Sequence, residues 1–291
     1  MTRGTTRLEL RPRRGGRHRA GPLCFVVAVV VVLGCLPAGA AAPSEDPWYA
    51  GRLRFATGFD YRSGDYGSDF GKTNLLAVPV SLEYRFERLQ FSPGDRFRIR
   101  VTVPYLRVDG PFRGEASATG GTGVDEGVGD TYLRLSYFYF PPSPKWPFLG
   151  FGGRIKFPTA DEDKNLGTGE FDYTLETMVS QKFRLGSYVL TPYATVGYKF
   201  VGEPKGEDRN NSWRAGTGFS FRIDRRWTVG ARYSFRESSI PGRGPRHVVG
   251  PFVNVRITDY LSVLPYAVAG LSKESPDWAV GLEFRWDTFF R

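Results

Sequence analysis

Cysteine is absent from this sequence after residue 35, and beyond His18 the only histidine is His247. A disulfide framework and a cysteine metal site are therefore excluded from everything downstream of the first few dozen residues, and histidine clusters of the kind that hold zinc are excluded as well. Long hydrophobic runs are also missing. The longest, Leu23 to Leu36, has 14 residues, short of the roughly 18 to 20 that a membrane-spanning helix needs. Apolar residues at the helical spacing of three and four are lacking too, so no helical layer is available to cover a sheet. What the chain does have is 36 Gly, 21 Pro and 15% aromatic residues among 291, a composition that fits one large all-β domain and excludes a disordered tail.

The opening combines seven arginines before residue 20, the short apolar run and small residues up to Ala42. That order of basic, apolar and small residues reads as a secretory signal peptide over residues 1–42, with cleavage after Ala40 or Ala41. Leu33-Gly34-Cys35 loosely resembles a lipoprotein box, but the AGAAA run downstream is the better ordinary cleavage site. Arg3, Arg7, Arg11, Arg13, Arg14, Arg17 and Arg19 against Glu9 contribute six of the ten net positive charges, leaving +4 on residues 43–291. The high isoelectric point therefore reports the export signal rather than a nucleic-acid surface, and nucleic acid is not an expected partner. Cys24 and Cys35 leave with the signal.

From Gly127 to Pro158 two alternations meet at a proline-rich turn. Thr131, Leu133, Leu135, Tyr137 and Tyr139 share one face against Asp130, Tyr132, Arg134 and Ser136; Leu149, Phe151, Gly153, Ile155 and Phe157 share another against Gly150, Gly152, Arg154 and Lys156. The period of two marks strands. Each has an aromatic and aliphatic face opposed by one of glycine, serine and charge, with nothing to cover the first. Lipid outside and water inside resolves that arrangement. The same pattern recurs near 48–60, 76–86, 97–105, 171–183, 213–223, 227–235 and 278–287, and further strands are read near 188–200, 248–257 and 261–271, predicting an all-β, 12-stranded antiparallel up-and-down transmembrane β-barrel over residues 43–291, in the bacterial outer membrane. Twelve is even, as such single-chain barrels require.

Long Gly-rich links alternate with short ones, which sets outer loops against periplasmic turns and both termini in the periplasm. Trp48, Trp146, Trp213, Trp227, Trp278 and Trp286 fall near strand ends, where an indole prefers the membrane-water boundary. Pro79, Pro104, Pro192, Pro251 and Pro265 sit inside strands, where each removes a ladder donor and predicts a bulge; the register near 188–200, 248–257 and 261–271 is left open, and 261–271 shows no clear face.

The order Gly127-Val128-Gly129-Asp130, then Lys156-Phe157-Pro158-Thr159-Ala160-Asp161, then Leu166-Gly167-Thr168-Gly169 before Asp172 resembles the outer-membrane family labelled "putative meta-pathway phenol degradation", over most of Trp48 to Phe290. The resemblance implies a transporter-like barrel passing hydrophobic or aromatic compounds rather than a reaction. Outer-membrane assembly machinery is then an expected partner, although Phe289-Phe290-Arg291 departs from the usual terminal aromatic residue.

Catalysis finds little support. His247 stands alone beside Arg246 and Val248, and a Ser-His dyad would need a facing group from another strand. Asp161-Glu162-Asp163 lacks the spaced ligands and glycine of a calcium loop. The Gly-Thr-Gly runs at Gly167 and Gly216 have no lysine and no helix after them, as phosphate loops require. No enzyme, cofactor or metal is expected. The remaining readings are a channel for small solutes, aromatic or organic anions among them, and a structural or surface-interacting barrel with a plugged lumen. Inner faces rich in Gly, Ala and Ser favour the channel. Its expected solute path is Arg52, Arg54, Arg85, Arg98, Arg100, Arg134 and Arg285, a basic arc offset by Glu83 and Glu283, with fields that add within a Debye length of about 8 to 10 Å. The oligomeric state is left open.

Overall fold

The structure is a computed structural model that describes residues 51–66, 71–86, 95–110, 123–143, 145–164, 166–204 and 206–290. The proposed signal peptide, its cleavage site, Trp48, Pro93-Gly94, Arg291 and the side chains of Asp163, Phe289 and Phe290 lie outside the described residues. The chain divides into two units, Met1–Ala40 and Ala41–Arg291, and every described residue belongs to the second.

Fourteen strand segments make up that unit: β1 (Gly51–Gly64), β2 (Thr73–Phe86), β3 (Arg96–Asp109), β4 (Val124–Val128), β5 (Thr131–Tyr139), β6 (Phe148–Phe157), β7 (Asp172–Ser180), β8 (Phe183–Leu185), β9 (Tyr188–Phe200), β10 (Ser212–Arg222), β11 (Trp227–Arg236), β12 (Arg246–Arg256), β13 (Leu261–Gly270) and β14 (Trp278–Phe290). Each pairs antiparallel with its neighbour, β14 pairs β1, and β9 pairs β10, so the sheet closes on itself. Segments β4 and β5 both pair β3, and β7 and β8 both pair β9. The fourteen segments are therefore twelve barrel strands, as the alternation predicts. Among the described residues the only helical element is a 3-10 turn, Glu162–Lys164, and no helix is long and apolar enough to cross a membrane.

The two interrupted strands show what prolines do here. Tyr132 faces Thr102 while Val128 faces Tyr105, so β4 and β5 advance one residue more than β3 does. The extra residue is a bulge at Gly129-Asp130, where the Gly129 amide donates to the Pro104 carbonyl at 2.8 Å. Pro79 lies directly opposite Pro104. Between β7 and β8 no slip occurs. Ser180 faces Tyr193 and Phe183 faces Leu190, a constant offset, and the ladder breaks only because Pro192 has no N–H to return to Gln181. Along β12 and β13, Val249 faces Ala269, Phe252 faces Tyr266 and Val255 faces Val263, again without a slip. The expectation of a bulge at every strand proline is thus corrected. A missing donor shifts the register only where an extra residue, here beside Gly129, takes up the slack.

Exposure along the strands runs opposite to that of a soluble sheet. On β7 the outward Leu175 is 60% exposed while the inward neighbour Thr174 is 4% exposed. Phe151, Val196, Phe219 and Phe284 are exposed on other strands, whereas Ala56, Asp60, Glu83 and Lys199 are buried. Leaving such apolar area in water costs about 25 cal/mol per Å², so this surface belongs against lipid, and the barrel belongs in the bacterial outer membrane. Trp213 and Trp278 start β10 and β14, Trp227 starts β11 and Trp286 lies near the end of β14, and all four are exposed. They form two belts at opposite ends of the wall. The strand without a clear face, β13, turns Leu264, Tyr266 and Val268 inward and Pro265, Ala267 and Ala269 outward. Its two faces are both apolar, which removes the contrast.

Candidate functional site: the lining of the lumen

Residues directly opposite in an antiparallel pair share a face, so the register converts inward residues of separate strands into continuous rows. One row runs Asp287, Arg54, Glu83, Arg100, Arg134, Arg154. Four of its contacts are ionic. Arg54 makes two parallel bonds of 2.7 Å to Asp287. Glu83, 4% exposed, takes Arg85 on one oxygen and Arg100 on the other, the latter at 2.8 Å. Arg134 reaches Glu176 at 2.6 Å. Outside this row, Arg285 grips Glu283 with bonds of 2.9 and 3.0 Å. Of the arginines expected on the solute path, Arg54, Arg85, Arg100, Arg134 and Arg285 therefore carry carboxylate partners, and Asp287 belongs in the balance with Glu83 and Glu283. Arg98 differs: its guanidinium lies 4.4 Å from the Phe138 ring centroid, and its buried Nε has no hydrogen-bond partner.

The second row runs Arg52, Arg85, Arg98, Ser136, Gly152, Glu176, Gly197, Arg214, Arg236, Arg246. It begins at the second residue of β1 and ends at the first residue of β12. Strands alternate in direction, so these are opposite mouths of the barrel. A row perpendicular to tilted strands climbs the wall in this way. Neighbours along it are about 4.8 Å apart. Six arginines and one glutamate thus wind from one mouth to the other. Arg214, Arg236 and Arg246 are absent from the sequence-derived path. Alternation alone assigns Arg214 to the inner face, but only the pairing of four intervening strands connects it with Arg98.

Glycines on the inner face have a specific use. An added Cβ at Gly218 would meet the Tyr193 hydroxyl at 2.8 Å, and one at Gly281 would meet the Tyr266 ring at 2.3 Å. Each ring reaches into the space that a side chain on the facing glycine of the next strand would take. Tyr266 donates its hydroxyl to Asp60, which also takes Arg62. Beyond these lie two cavities. One of about 200 Å³ includes Glu176, Tyr193, Arg214 and Arg232; one of about 300 Å³ includes Asp60, Arg62, Arg232, Arg246 and Tyr266.

At the mouth where β6 ends and β7 begins, Lys156 and Lys199 are each 8% exposed or less and meet buried carboxylates. Lys156 Nζ lies 3.3 Å from both Asp130 and Asp172, and Lys199 Nζ lies 3.0 Å from Asp172. Lys156 also donates to Thr168 Oγ1 at 2.5 Å, Asp130 accepts the Ala160 amide at 3.2 Å, and Asp172 accepts the Gly202 amide at 3.1 Å. Leu166, 1% exposed, packs over Gly127. The bulge at Gly129 turns Asp130 inward to this cluster. The short motifs behind the family resemblance converge on this clasp, which holds the segment from Pro158 to Phe171 against the wall.

Other sequence candidates fall elsewhere. The His247 ring faces Tyr233, with Nδ1 2.7 Å from the hydroxyl, and Phe235; Ser272 and Ser275 accept from its backbone N–H, and Ser275 donates to its backbone carbonyl at 2.8 Å. Asp161 uses its carbonyl to accept the Leu166 and Lys164 amides. No group of metal-ligating side chains occurs among the described residues.

The sequence profile described as "Putative MetA-pathway of phenol degradation" matches residues 59–288. An outer membrane channel from Pseudomonas putida F1 superposes with a TM-score of 0.60 at 15% identity, covering 85% of this chain and 100% of that one. The β domain of the Bordetella autotransporter BrkA gives 0.51 at 14% identity, with 81% and 99% covered. The NanC porin gives 0.50 at 10% identity, with 81% and 100% covered. These likenesses show the outer-membrane barrel fold. No curated protein matches the sequence.

Proposed function

The chain belongs to the family described as "Putative MetA-pathway of phenol degradation", and from that membership we propose that its barrel is an outer-membrane channel for small solutes, with organic anions, aromatic ones among them, as the preferred class. The observation that carries this reading is the row from Arg52 to Arg246, six arginines to one glutamate from mouth to mouth. Within each of its two runs, Arg52-Arg85-Arg98 and Arg214-Arg236-Arg246, positive charges on strands about 4.8 Å apart in low-dielectric walls reinforce one another and draw anions. Arginine adds directional bonding to a carboxylate. Family membership and the fold shared with the Pseudomonas putida F1 channel agree with a transport role. Lipid surrounds the barrel, and outer-membrane assembly machinery is the partner that would insert it.

A plugged structural barrel has an observation in its favour, the carboxylate lattice around Arg54, Arg85, Arg100 and Arg285. Planar-bilayer recording under a salt gradient separates the two. The channel reading expects an anion-favouring reversal potential that weakens when Arg98 and Arg100 become Ala. A closed barrel or a cation-preferring pore overturns it.

A further inference from the structure

Arg232, Ser234 and Arg236 line both lumen cavities, and Arg232 is the exposed one of the three. It points inward on β11, and it lines both the cavity of about 200 Å³ and the cavity of about 300 Å³. Its partners in register on both sides are glycines, Gly218 on β10 and Gly250 on β12. No Cβ from either adjoining strand stands beside it; the Tyr193 side chain takes up the space over Gly218, and Val268 lies beside Gly250. Unlike the arginines of the carboxylate lattice, Arg232 is exposed to the lumen. Among the described residues no carboxylate lies within ion-pair distance of it. Its guanidinium lies 5.1 Å from the Tyr266 ring centroid, a cation–π arrangement that orients the charged fork while leaving its donors available.

The larger cavity is two-sided. Arg62, Arg232, Arg236 and Arg246 line it with a single acid, Asp60. That acid is already engaged by Arg62 and the Tyr266 hydroxyl. Val248, Val268 and Pro276 form an apolar side. Its volume exceeds the roughly 150 Å³ that holds a benzene and lies at the lower end of drug-sized pockets. An occupant matching this cavity has one ring for the apolar side and one carboxylate for the guanidinium fork. A bare inorganic anion leaves the apolar side unused.

We infer that Arg232 anchors a binding subsite for a single-ring aromatic carboxylate on the inner face of β11, with Ser234 forming the ridge between its two cavities. This rests on the channel reading and deepens it, moving the point of solute recognition from the arc at β1 to β3 to the wall formed by β9 to β14 and the far end of β1. The Tyr193 ring, held over Gly218, lines the second cavity and offers a stacking surface for the solute there, so a molecule released on one side of Ser234 is received on the other.

Benzoate titrated calorimetrically into the detergent-purified full-length barrel tests the subsite, with heat-shifted migration confirming that each variant is folded. Saturable binding is expected for the wild type and for Arg225→Ala, which removes equal charge from a short turn. Arg232→Ala should weaken it at least tenfold. Arg232→Lys, which keeps the charge but loses the planar fork, should also weaken it. Ser234→Phe, which fills the ridge and removes no charge, is a second route to the same loss. Absence of saturable benzoate binding, binding unaltered in Arg232→Ala, or phosphate binding as tight as benzoate would overturn the proposal. Chloride current in bilayers reports separately. A barrel that conducts anions but ignores benzoate sinks the subsite alone, and one that binds benzoate through Arg232 but never conducts sinks the channel reading alone.

Discussion

Gly281 shows how much a single missing side chain does in this wall. The Tyr266 ring occupies the space where its Cβ would be, and from there the hydroxyl reaches Asp60. Gly281→Ala should leave folding intact, because the obstructed atoms are the far end of a side chain that can turn. The ring then swings into the lumen and Asp60 loses a donor. The expected readout is normal heat-shifted migration with reduced single-channel conductance; unchanged conductance would show that the position of the ring does not set the bore. On the other surface, Leu175 is exposed in the middle of β7. Leu175→Arg should cost about 2 to 4 kcal/mol in denaturant unfolding from lipid vesicles, the penalty of a cation near the bilayer midplane. Both faces could be read from alternation alone. The use of each glycine could not, because the ring that fills it comes from another strand.

At the level of elements, the clasp around Lys156 is the feature most open to test. Two lysines and two aspartates, all 8% exposed or less, lie within 3.3 Å of their partners. Removing one member of a buried ionic cluster leaves an uncompensated charge, typically at a cost of about 3 to 5 kcal/mol. Lys156→Met should therefore loosen the segment from Pro158 to Phe171, and limited proteolysis of intact cells should show new cleavage there while the strands stay protected. Resistance equal to that of the wild type would mean that Leu166, packed over Gly127, holds the segment by itself. The sequence displays these residues as short glycine-rich motifs with no evident purpose. Their purpose emerges when the Gly129 bulge redirects Asp130, a shift that no local pattern records.

For the whole molecule, a closed barrel predicts that unboiled samples in detergent migrate faster than boiled ones, and that the folded protein fractionates with the outer membrane; recovery as a soluble periplasmic protein would contradict the outward placement of Phe151 and Leu175. We further propose that the exported chain begins near Ala41 or Ala42, which mass spectrometry of the membrane-extracted protein checks; a start at Cys35 or retention of Leu23 to Leu36 would refute it. Strand number, inward and outward faces and the two tryptophan belts are determined by the sequence itself, because a period of two is a local property and lipid imposes it on each strand separately. The register is not local. It depends on how turns, loop lengths and prolines far apart in the chain let whole strands settle against one another. Only the tertiary structure therefore decides that Pro104 and Pro192 act differently, that Asp287 meets Arg54, and that arginines from Arg52 to Arg246 line up into one path across the wall.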